Sequence, residues 1–288
     1  MITEEFTTMA NWKLSAFADE ASPMIDGQIS ALVRNDIPYL EIRGVDKKNI
    51  KDVTPAEAKE LKKRLDDGGV SVWSMGSPIG KIRLDGNMAG HIEDFKRIIE
   101  CADILGAKRI RMFSFYPGPE DSAKATEEKA LSAISSLLDV TPDNILLCHE
   151  NEKGIFGENA ECCHLILKTF PKLRAVFDPA NFVQCGVDTL KAWELLKEYV
   201  DYLHIKDALA DGSVVPAGEG LGNLPFIVGD YLKRGGTVMT LEPHLNHFVG
   251  LDALENGESL KGSGKRYASN DESFDAAVSA LKNILAGL

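Results

Sequence analysis

The stretch ILLCHENEKGIFGENAECCHLILKTFPKLRAVFD, residues 145–178, contains the pattern that decides the fold class. It begins with a short apolar run at 145–148, continues with a segment of helical period at 158–169, and reaches a second apolar run at 175–177. Short strands that alternate with helices are typical of βαβ units, in which consecutive strands are parallel. The stretch therefore predicts a strand–helix–strand unit.

The same alternation continues over the rest of the chain. Eight strands are predicted at 14–18, 39–42, 71–75, 109–113, 145–148, 175–177, 202–205 and 238–241. Eight helices are predicted near 24–35, 55–67, 88–105, 122–139, 158–169, 189–199, 223–234 and 272–286. Eight such units fit an α/β fold of the (β/α)₈ TIM barrel type, which typically needs about 250 residues. A doubly wound open sheet is the alternative, because strand order cannot be read from one sequence.

No internal repeat or low-complexity linker divides the chain, so we expect a single barrel domain over 1–288, with 1–12 as an N-terminal extension. The segment 245–270 is too long and too polar for an ordinary connection, and loops of that length are usually functional or disordered. We interpret this long loop after strand eight either as a mobile flap over the barrel mouth or as a static excursion, which would pack against the barrel or a neighbouring subunit. The apolar anchors available to a static excursion are Phe248, Leu251, Leu254 and Leu260.

Several predicted helix ends carry the expected chemistry. Thr54 precedes Pro55, which predicts an N-cap with proline at the first helical position, and Glu57 completes a capping box. Helix C-caps are predicted at the glycines Gly68, Gly69, Gly106, Gly235 and Gly236.

Charge and cysteine content limit the classes of function. Acidic residues outnumber basic ones 44 to 32, for a formal net charge of −12, so a nucleic-acid partner is not expected. No apolar run approaches the roughly 18 residues that a membrane helix needs, and the first residues do not form a secretory signal. The five cysteines are odd in number and include no Cys-x-x-Cys pair. We therefore expect a reduced, cytoplasmic protein that has no disulfide framework and does not bind membranes.

Four consecutive predicted strands end in a side chain that binds divalent cations. These side chains belong to Glu150, Asp178, His204 and Glu242. The carboxyl ends of the strands surround the mouth of a (β/α)₈ barrel, so the four side chains are expected to converge. Three carboxylates and one imidazole suit Mn²⁺ or Mg²⁺, with Zn²⁺ and Co²⁺ as alternatives. Each residue taken alone is more often a helix cap, a solvated loop residue or a structural histidine, so the spacing by itself leaves both interpretations open.

The segments that hold these residues resemble the xylose-isomerase-like superfamily of barrels, and most closely its sugar-phosphate isomerase/epimerase branch. The similar segments are 149–152, 177–182, 204–207 and 241–244, with further ones at 77–81, 111–115 and 216–220. The resemblance implies a TIM barrel with one divalent metal, most often Mn²⁺, bound by Glu150, Asp178, His204 and Glu242. One departure disfavours a plain hexulose epimerase, because ketose 3-epimerases of the superfamily place a His and an Arg where this chain has Asn181 and Ala210.

Such a site supports removal of a proton from the carbon next to a sugar carbonyl. That hydrogen is too weakly acidic for a carboxylate alone, and a divalent cation on the carbonyl stabilises the enediolate. Glu150 and Glu242 are the predicted catalytic residues, one to take the proton and the other to return it. The sequence thus predicts a metal-dependent isomerase or epimerase of carbohydrate metabolism that acts on a sugar or sugar phosphate.

Three alternatives stay open beside this prediction. A dehydratase of a keto-polyol, such as an inosose, would use the same metal site with an added general acid. A non-catalytic sugar-binding barrel would have no need of two opposed carboxylates on a metal. A zinc enzyme related to endonuclease IV is disfavoured by the net charge of −12 and by the presence of only six histidines. A homo-oligomer is compatible with every one of these functions.

Six further residues are predicted substrate contacts, namely Lys206, Asn181, His244, Arg111, Glu152 and Lys81. Lys206 shares strand parity with His204, and His244 with Glu242, so both are expected at the mouth. Arg111 lies in an apolar strand, and an ion pair with a buried carboxylate is its alternative role. The glycine-containing loop 218–223 is either a phosphate site next to a helix N-terminus or a tight turn.

Overall fold

The structure of the chain, a computed structural model, describes residues 12–251 and 267–288. Its centre is a closed barrel of eight parallel strands. In chain order they are β1 (Lys13–Ala16), β2 (Tyr39–Ile42), β3 (Ser71–Gly76), β4 (Arg109–Met112), β5 (Leu146–Glu150), β6 (Arg174–Phe177), β7 (Val200–Ile205) and β8 (Val238–Leu241). Each strand pairs with the next, and β1 pairs with β8 with Lys13 opposite Val238. The closure confirms the (β/α)₈ barrel and excludes the open sheet.

Helices surround the barrel. They are α1 (Ile25–Arg34), α2 (Pro55–Asp67), α3 (Met88–Leu105), α4 (Ala123–Val140), α5 (Ala160–Thr169), α6 (Pro179–Gln184), α7 (Thr189–Leu196), α8 (Leu224–Lys233) and α9 (Asn270–Ala286). Among the α-helices of the described residues, only α6 has no predicted counterpart, because six residues are too few to show a helical period. In the described part of the chain, no helix combines the length and apolar character needed to cross a membrane.

The carboxyl ends of two strands, β1 and β5, lie two residues from their predicted positions. β1 ends at Ala16 rather than at residue 18, because Ala18–Glu20 turn into a 3₁₀ helix. β5 extends to Glu150, because Glu150 still pairs with Val176 of β6. Two short antiparallel pairs also follow the barrel strands, Gly44–Val45 with Lys48–Asn49 after β2 and Asp207–Ala208 with Val214–Val215 after β7.

The predicted helix ends are present. The Thr54 hydroxyl accepts the N–H of Glu57, and the Glu57 carboxylate accepts the N–H of Thr54, which forms the capping box of α2. α3 ends at Gly106 in the left-handed conformation, with φ of 78°. A residue without a Cβ adopts that conformation at the lowest cost, so the glycine sets the end of the helix.

Side chains inside the barrel become polar toward the carboxyl ends of the strands. At the other end the Arg109 guanidinium lies 3.8 Å from the Trp73 ring centroid and closes the base. A buried middle layer consists of Cys148, Val176 and Tyr202. The outer faces of the strands pack against the helices in one large apolar core. The polar upper layer is therefore supported from below and from all sides by packed side chains.

Two predicted features lie partly outside the described residues. These are residues 1–11 of the N-terminal extension and residues 252–266 of the long loop, so the flap stays a prediction. Leu254 and Leu260, two of the predicted anchors, lie in that part. At the described end of the loop, Phe248 and Leu251 are buried, as a static excursion requires. Asn246 also donates a hydrogen bond of 3.0 Å to the side-chain oxygen of Asn270.

Candidate metal centre

Four acidic or imidazole side chains meet at the carboxyl end of the barrel, and we call them the acidic cluster. They are Glu150 at the end of β5, Asp178 directly after β6, His204 in β7 and Glu242 directly after β8. Ligand atoms from the four residues all lie within 4.8 Å of one another, and every member is buried. The convergence expected from the strand ends is therefore present.

His204 is held between carboxylates on both edges of its ring. Its Nδ1 lies 3.1 Å from Glu150 Oε1 and 3.3 Å from Glu242 Oε2, so Nδ1 faces the cluster. Its Nε2 lies 3.3 Å from Glu41 Oε2, and Glu41 Oε1 accepts a hydrogen bond of 2.8 Å from the Tyr202 hydroxyl. Histidine ligands usually donate their second ring N–H to such a carboxylate, which fixes the tautomer. Glu41 thus orients His204 with Nδ1 available as a ligand.

Asp178 is fixed by its main chain and by one carboxylate oxygen. Its Oδ1 accepts the N–H of Asn181 at 2.9 Å and caps α6. The Asn151 side chain donates to the Asp178 carbonyl at 2.8 Å and accepts the Asp178 N–H at 3.0 Å. The other carboxylate oxygen, Oδ2, lies 2.9 Å from the Lys206 ammonium. One oxygen is therefore committed to the helix, and the other faces the cluster.

Glu41 and Asn151 shape the acidic cluster although neither is among the predicted site residues. Glu41 had a visible signal, a charged residue inside the otherwise apolar strand 39–42. Asn151 had a weaker one, since it directly follows Glu150. Neither signal predicts what the residue does, because Glu41 contacts His204 and Asn151 contacts Asp178, which belong to other strand–helix units.

Each glutamate of the cluster has its own arginine. Arg111 of β4 donates from Nη1 to Glu150 Oε2 at 2.7 Å. Arg43, directly after β2, donates from Nη1 to Glu242 Oε1 at 3.0 Å. Arg43 also binds two carboxylates that follow β1, those of Asp19 and Glu20. Arg111 therefore forms the ion pair that was the alternative to its predicted substrate contact.

Two other predicted substrate contacts, Lys206 and Asn181, also donate to the acidic cluster. The Lys206 ammonium lies 2.9 Å from Asp178 and 3.2 Å from Glu242. Asn181 donates from Nδ2 to Glu150 Oε1 at 3.2 Å. The Lys206 ammonium therefore offsets part of the charge of the Asp178 and Glu242 carboxylates.

The remaining predicted substrate contacts, His244, Glu152 and Lys81, lie around the cluster. His244 Nε2 lies 3.3 Å from Glu242 Oε1, and its ring stacks on Phe248 with the centroids 5.5 Å apart. Glu152 and Lys81 form an ion pair of 2.8 Å with each other. All three residues follow the carboxyl ends of strands, so they border the mouth that the cluster occupies.

The surrounding cations control the ionisation of the carboxylates. Burial would raise the pKa of Glu150, but the charges of His204 and the adjacent guanidinium lower it to about 2. Burial also opposes ionisation of Glu242, and the Lys206 ammonium holds its pKa well below the usual range. Burial raises the pKa of Asp178 to about 7, against the attraction of Lys206 and with the repulsion of both glutamates. At neutral pH both glutamates are therefore ionised, whereas the aspartate is close to half protonated.

The glycine loop 218–223 is filled by a side chain of the protein itself. The Asp207 carboxylate accepts the N–H groups of Gly218, Gly220 and Gly222 at 2.9, 3.0 and 2.8 Å. A Cβ at Gly220 would lie 2.3 Å from Asp207 Oδ1, so only glycine leaves room for this arrangement. The amides that could hold a phosphate already hold an internal anion, which supports the tight turn and contradicts a phosphate site in this loop.

The acidic cluster has the donor set of a divalent-cation site. Three carboxylates and the Nδ1 of His204 point at one buried space. Hard divalent cations prefer oxygen donors, and imidazole is compatible with Mn²⁺, Zn²⁺ and Co²⁺. The cluster thus fits one divalent metal, with one donor atom from each of its four residues.

Fold and site together define a (β/α)₈ barrel with a buried cation-binding cluster at its mouth. Residues 29–261 match the family described as the xylose isomerase-like TIM barrel, and the chain belongs to that family. The resemblance inferred from the sequence motifs is therefore confirmed. Comparison with curated proteins by sequence gave no match.

Solved structures of similar fold include sugar epimerases and a dehydratase. A D-allulose 3-epimerase from Methylomonas sp. has a TM-score of 0.73 at 16% identity, over 97% of this chain and 99% of that one. The probable 3-DHS dehydratase AsbF from Bacillus anthracis has a TM-score of 0.70 at 15% identity, over 95% and 99%. The IOLI protein, determined with a binding zinc atom, has a TM-score of 0.71 at 15% identity, over 96% and 98%. At these identities the likeness establishes the fold.

Proposed function

We propose that the chain is a divalent-metal-dependent isomerase or epimerase that acts on a sugar or sugar phosphate through an enediolate. The observation that carries the proposal is the approach of Glu150 and Glu242 to one imidazole nitrogen, at 3.1 and 3.3 Å. They come from strands that β6 and β7 separate in the barrel. Two carboxylates that reach one point from different strands can serve a single substrate carbon as base and acid.

The residues around each glutamate hold it ready for proton transfer. Asn181 donates to one oxygen of Glu150 and Arg111 to the other, so the direction of this carboxylate is fixed. Arg43 does the same for one oxygen of Glu242. A divalent cation bound by the cluster, with Mn²⁺ as the proposed metal, would polarise the substrate carbonyl and stabilise the negative charge of the enediolate.

Both glutamates are ionised at neutral pH, so in the proposed reaction one acts as the base and the other must first take a proton from water to act as the acid. One ionised carboxylate takes the proton from the carbon next to the carbonyl, and the electron pair of that bond moves onto the carbonyl oxygen. Return of a proton to the opposite face of the same carbon gives the epimer. Return to the neighbouring carbon, with transfer of the hydroxyl proton to the former carbonyl oxygen, exchanges aldose and ketose. Lys206 lies beside Glu242 and is placed to donate a hydrogen bond to a substrate oxygen. His244, Glu152 and Lys81 border the space that the rest of the substrate would fill.

A dehydratase of a keto-polyol is the second candidate, and the surroundings of Glu20 favour it. Burial raises the pKa of Glu20 to about 8, against the attraction of Arg43, so this carboxyl group carries a proton at neutral pH. It lies 3.4 Å from His244 Nε2, which in turn lies 3.3 Å from Glu242. A protonated acid near the base could assist the loss of a hydroxyl group from the enediolate.

The experiment combines metal analysis with reactions in deuterated water. The purified protein is loaded with Mn²⁺, Mg²⁺, Zn²⁺ or Co²⁺ and incubated with ketoses, their phosphates and an inosose, with a Glu150→Gln variant as the control. We expect one metal per chain, and deuterium at the carbon next to the carbonyl of one substrate. Loss of water from the inosose would instead identify the dehydratase. A metal-loaded protein that binds a sugar without either reaction would establish a non-catalytic barrel.

The proposal includes a place for the protein in carbohydrate metabolism of the cytoplasm. All five cysteines are free, which supports a reducing compartment. A homo-oligomer is also proposed, with the exposed apolar side chains of Leu221 and Phe226 near the start of α8 as the surface for a second copy. Sedimentation of the purified protein tests the oligomer.

A further inference from the structure

A pocket with basic walls opens beside the acidic cluster, next to β2 and β3. Its volume is about 270 Å³. Its charged lining residues are Arg43, Lys47, Lys48, Lys51, Lys81 and Asp19. Five cations thus face one carboxylate in a chain whose formal net charge is −12. We call this space the basic pocket.

Three lysines of the basic pocket pair with carboxylates that do not line it, Lys48 with Glu57, Lys51 with Asp52 and Lys81 with Glu152. Asp19 binds Arg43 through both oxygens, each at 3.0 Å, so its charge is already committed. Lys47 has no ion-pair partner among residues 12–251 and 267–288. Like charges gathered in one concave space repel one another, and an anion placed between them relieves that repulsion. The basic pocket therefore favours an anionic ligand.

Lys47 occupies a costly backbone conformation. Asp46 and Lys47 have φ of 49° and 65°, and they form the two-residue turn between Gly44–Val45 and Lys48–Asn49. Such turns favour Asn, Asp and Gly, and a lysine there costs stability. The turn is anchored because Asp46 Oδ1 accepts the N–H of Ile25 at 3.0 Å. A strained residue with an unpaired charge at the wall of a pocket suggests that the charge has a use.

Lys81 lines another wall of the basic pocket, and the backbone before it is fixed by close contacts. Gly80 has φ of 87°, and a Cβ there would lie 2.0 Å from the Phe113 carbonyl oxygen. The Gly80 N–H donates to His91 Nε2 at 2.8 Å, which fixes the loop after β3. The Lys81 ammonium lies 4.5 Å from the Phe113 ring centroid and donates to Glu152 at 2.8 Å. A side chain already held in place loses little entropy when an anion binds.

Arg43 connects the basic pocket to the acidic cluster. Its Nη1 donates to Glu242 Oε1 at 3.0 Å, and the residue also lines the pocket. Phe248 is buried and lines the pocket too, with its ring centroid 5.0 Å from the Arg43 guanidinium. A substrate with its reacting carbon between Glu150 and Glu242 would therefore have its other end next to the basic pocket. The apolar ring of Phe248 would lie beside the part of the substrate in between.

We propose that the basic pocket binds an anionic group of the substrate, a phosphate or a carboxylate, at the end remote from the carbon that loses its proton. The inference rests on the proposed function for the reaction and adds the charge of the substrate. Lys47 and Lys81 bind the anion from two walls of the pocket. The glycine loop 218–223 does not provide this site, because Asp207 fills it.

The test measures binding of glycerol 3-phosphate and of glycerate to the Mn²⁺-treated protein by calorimetry. The variants are Lys47→Asn and Lys81→Met, and the matched control is Lys124→Met, whose lysine is 85% exposed on α4. Asparagine tolerates the left-handed conformation, so Lys47→Asn removes the charge and keeps the turn. We expect about a tenfold loss of affinity in each pocket variant and none in the control, since one charge-assisted hydrogen bond is lost. The fragment that binds the wild type more tightly distinguishes phosphate from carboxylate.

Equal affinities in the wild type and in both pocket variants would contradict anion binding by the basic pocket. This conclusion would hold whether or not the protein exchanges deuterium into a sugar. Affinity that depends on both lysines supports the pocket even if no sugar exchanges deuterium, and in that case the proposed reaction alone fails. Circular dichroism checks the fold of the variants. If Lys81→Met fails to fold, the binding by Lys47→Asn decides the outcome.

Discussion

The two halves of the barrel mouth carry opposite charge. Strands β5 to β8 supply all four members of the acidic cluster. Strands β2 to β4 and the loops after them supply the cations that face it, Arg43, Lys47, Lys81 and Arg111. Both Glu–Arg pairs join one half to the other where the two halves meet. The difference supports the proposal that one half of the mouth binds a cation and the other an anion.

Each half also contains an exception that limits its charge. Lys206 of the acidic half lies between two carboxylates, and Asp19 and Glu20 of the basic half bind Arg43. These internal partners keep the buried charge of each half within a range that the folded chain can tolerate. In the basic pocket, Lys47 differs from the other lysines because it has no ion-pair partner among the described residues.

The largest expected effect comes from removing the negative charge of the acidic half. Glu150→Gln and Glu242→Gln should each lower kcat by about 10²–10⁴-fold, because a positioned acid or base contributes that much. Deuterium exchange at saturating metal measures the loss. The matched control is Glu194→Gln on α7, with an exposed carboxylate paired to Lys197. Activity retained in either cluster variant would exclude the two-glutamate mechanism.

The next effect concerns the ion pairs that join the halves. Arg43→Gln should lower the free energy of unfolding by about 3–5 kcal/mol, because the buried carboxylates of Asp19 and Glu242 lose their shared cation and Glu20 loses a hydrogen bond. Urea unfolding measures it, with the surface variant Arg64→Gln expected to lose less than about 1 kcal/mol. Added divalent metal should reduce the difference for Arg43→Gln. Equal losses for both variants would contradict the electrostatic link between the halves.

A smaller effect is expected where the basic half supports a ligand of the acidic half. Glu41→Gln should weaken metal binding by about 10–100-fold, because Glu41 orients His204. Competition with a metal-sensitive dye measures the affinity. Ser74→Ala is the control, since Ser74 contacts the Tyr202 hydroxyl but not His204, and its metal affinity should match the wild type. A drop of equal size in both variants would point to general loosening of the barrel.

The smallest effect is a pH dependence of metal affinity. Asp178 has a pKa of about 7 in the metal-free site, and two carboxylates raise the pKa of His204 against its burial. A metal must displace these protons, so affinity rises with pH. The Asp178 proton alone predicts about a tenfold increase between pH 6 and pH 8, and the His204 proton adds to it. Calorimetry in buffers of different ionisation enthalpy counts the protons released. Affinity that falls with pH would contradict the assignment.

The barrel and the members of the acidic cluster could be predicted because their signals are local. The apolar run before Glu150 marks a strand, and the position of Glu150 at its end places the side chain at the mouth without further information. The same holds for Asp178, with Pro179 directly after it as the start of α6.

The partners of these residues could not be predicted, because they depend on closure of the barrel. Arg43 and Glu242 are 199 residues apart in sequence and 3.0 Å apart in the structure. The basic pocket likewise combines a turn after β2 with a loop after β3, and no sequence window shows both. The glycines of 218–223 do not distinguish a phosphate site from a tight turn in the sequence. The same pattern of backbone N–H groups can bind a phosphate or an internal carboxylate such as that of Asp207.

The long separation of Arg43 and Glu242 has a consequence for folding. Their contact requires pairing of β1 with β8, and closing so long a loop costs entropy before the contact forms. Ring closure is therefore a late step, and loss of the contact should speed unfolding more than it slows folding. An incompletely closed chain lacks the complete pair of glutamates and their arginines. In the proposed mechanism, proton abstraction would therefore be confined to molecules that have finished folding.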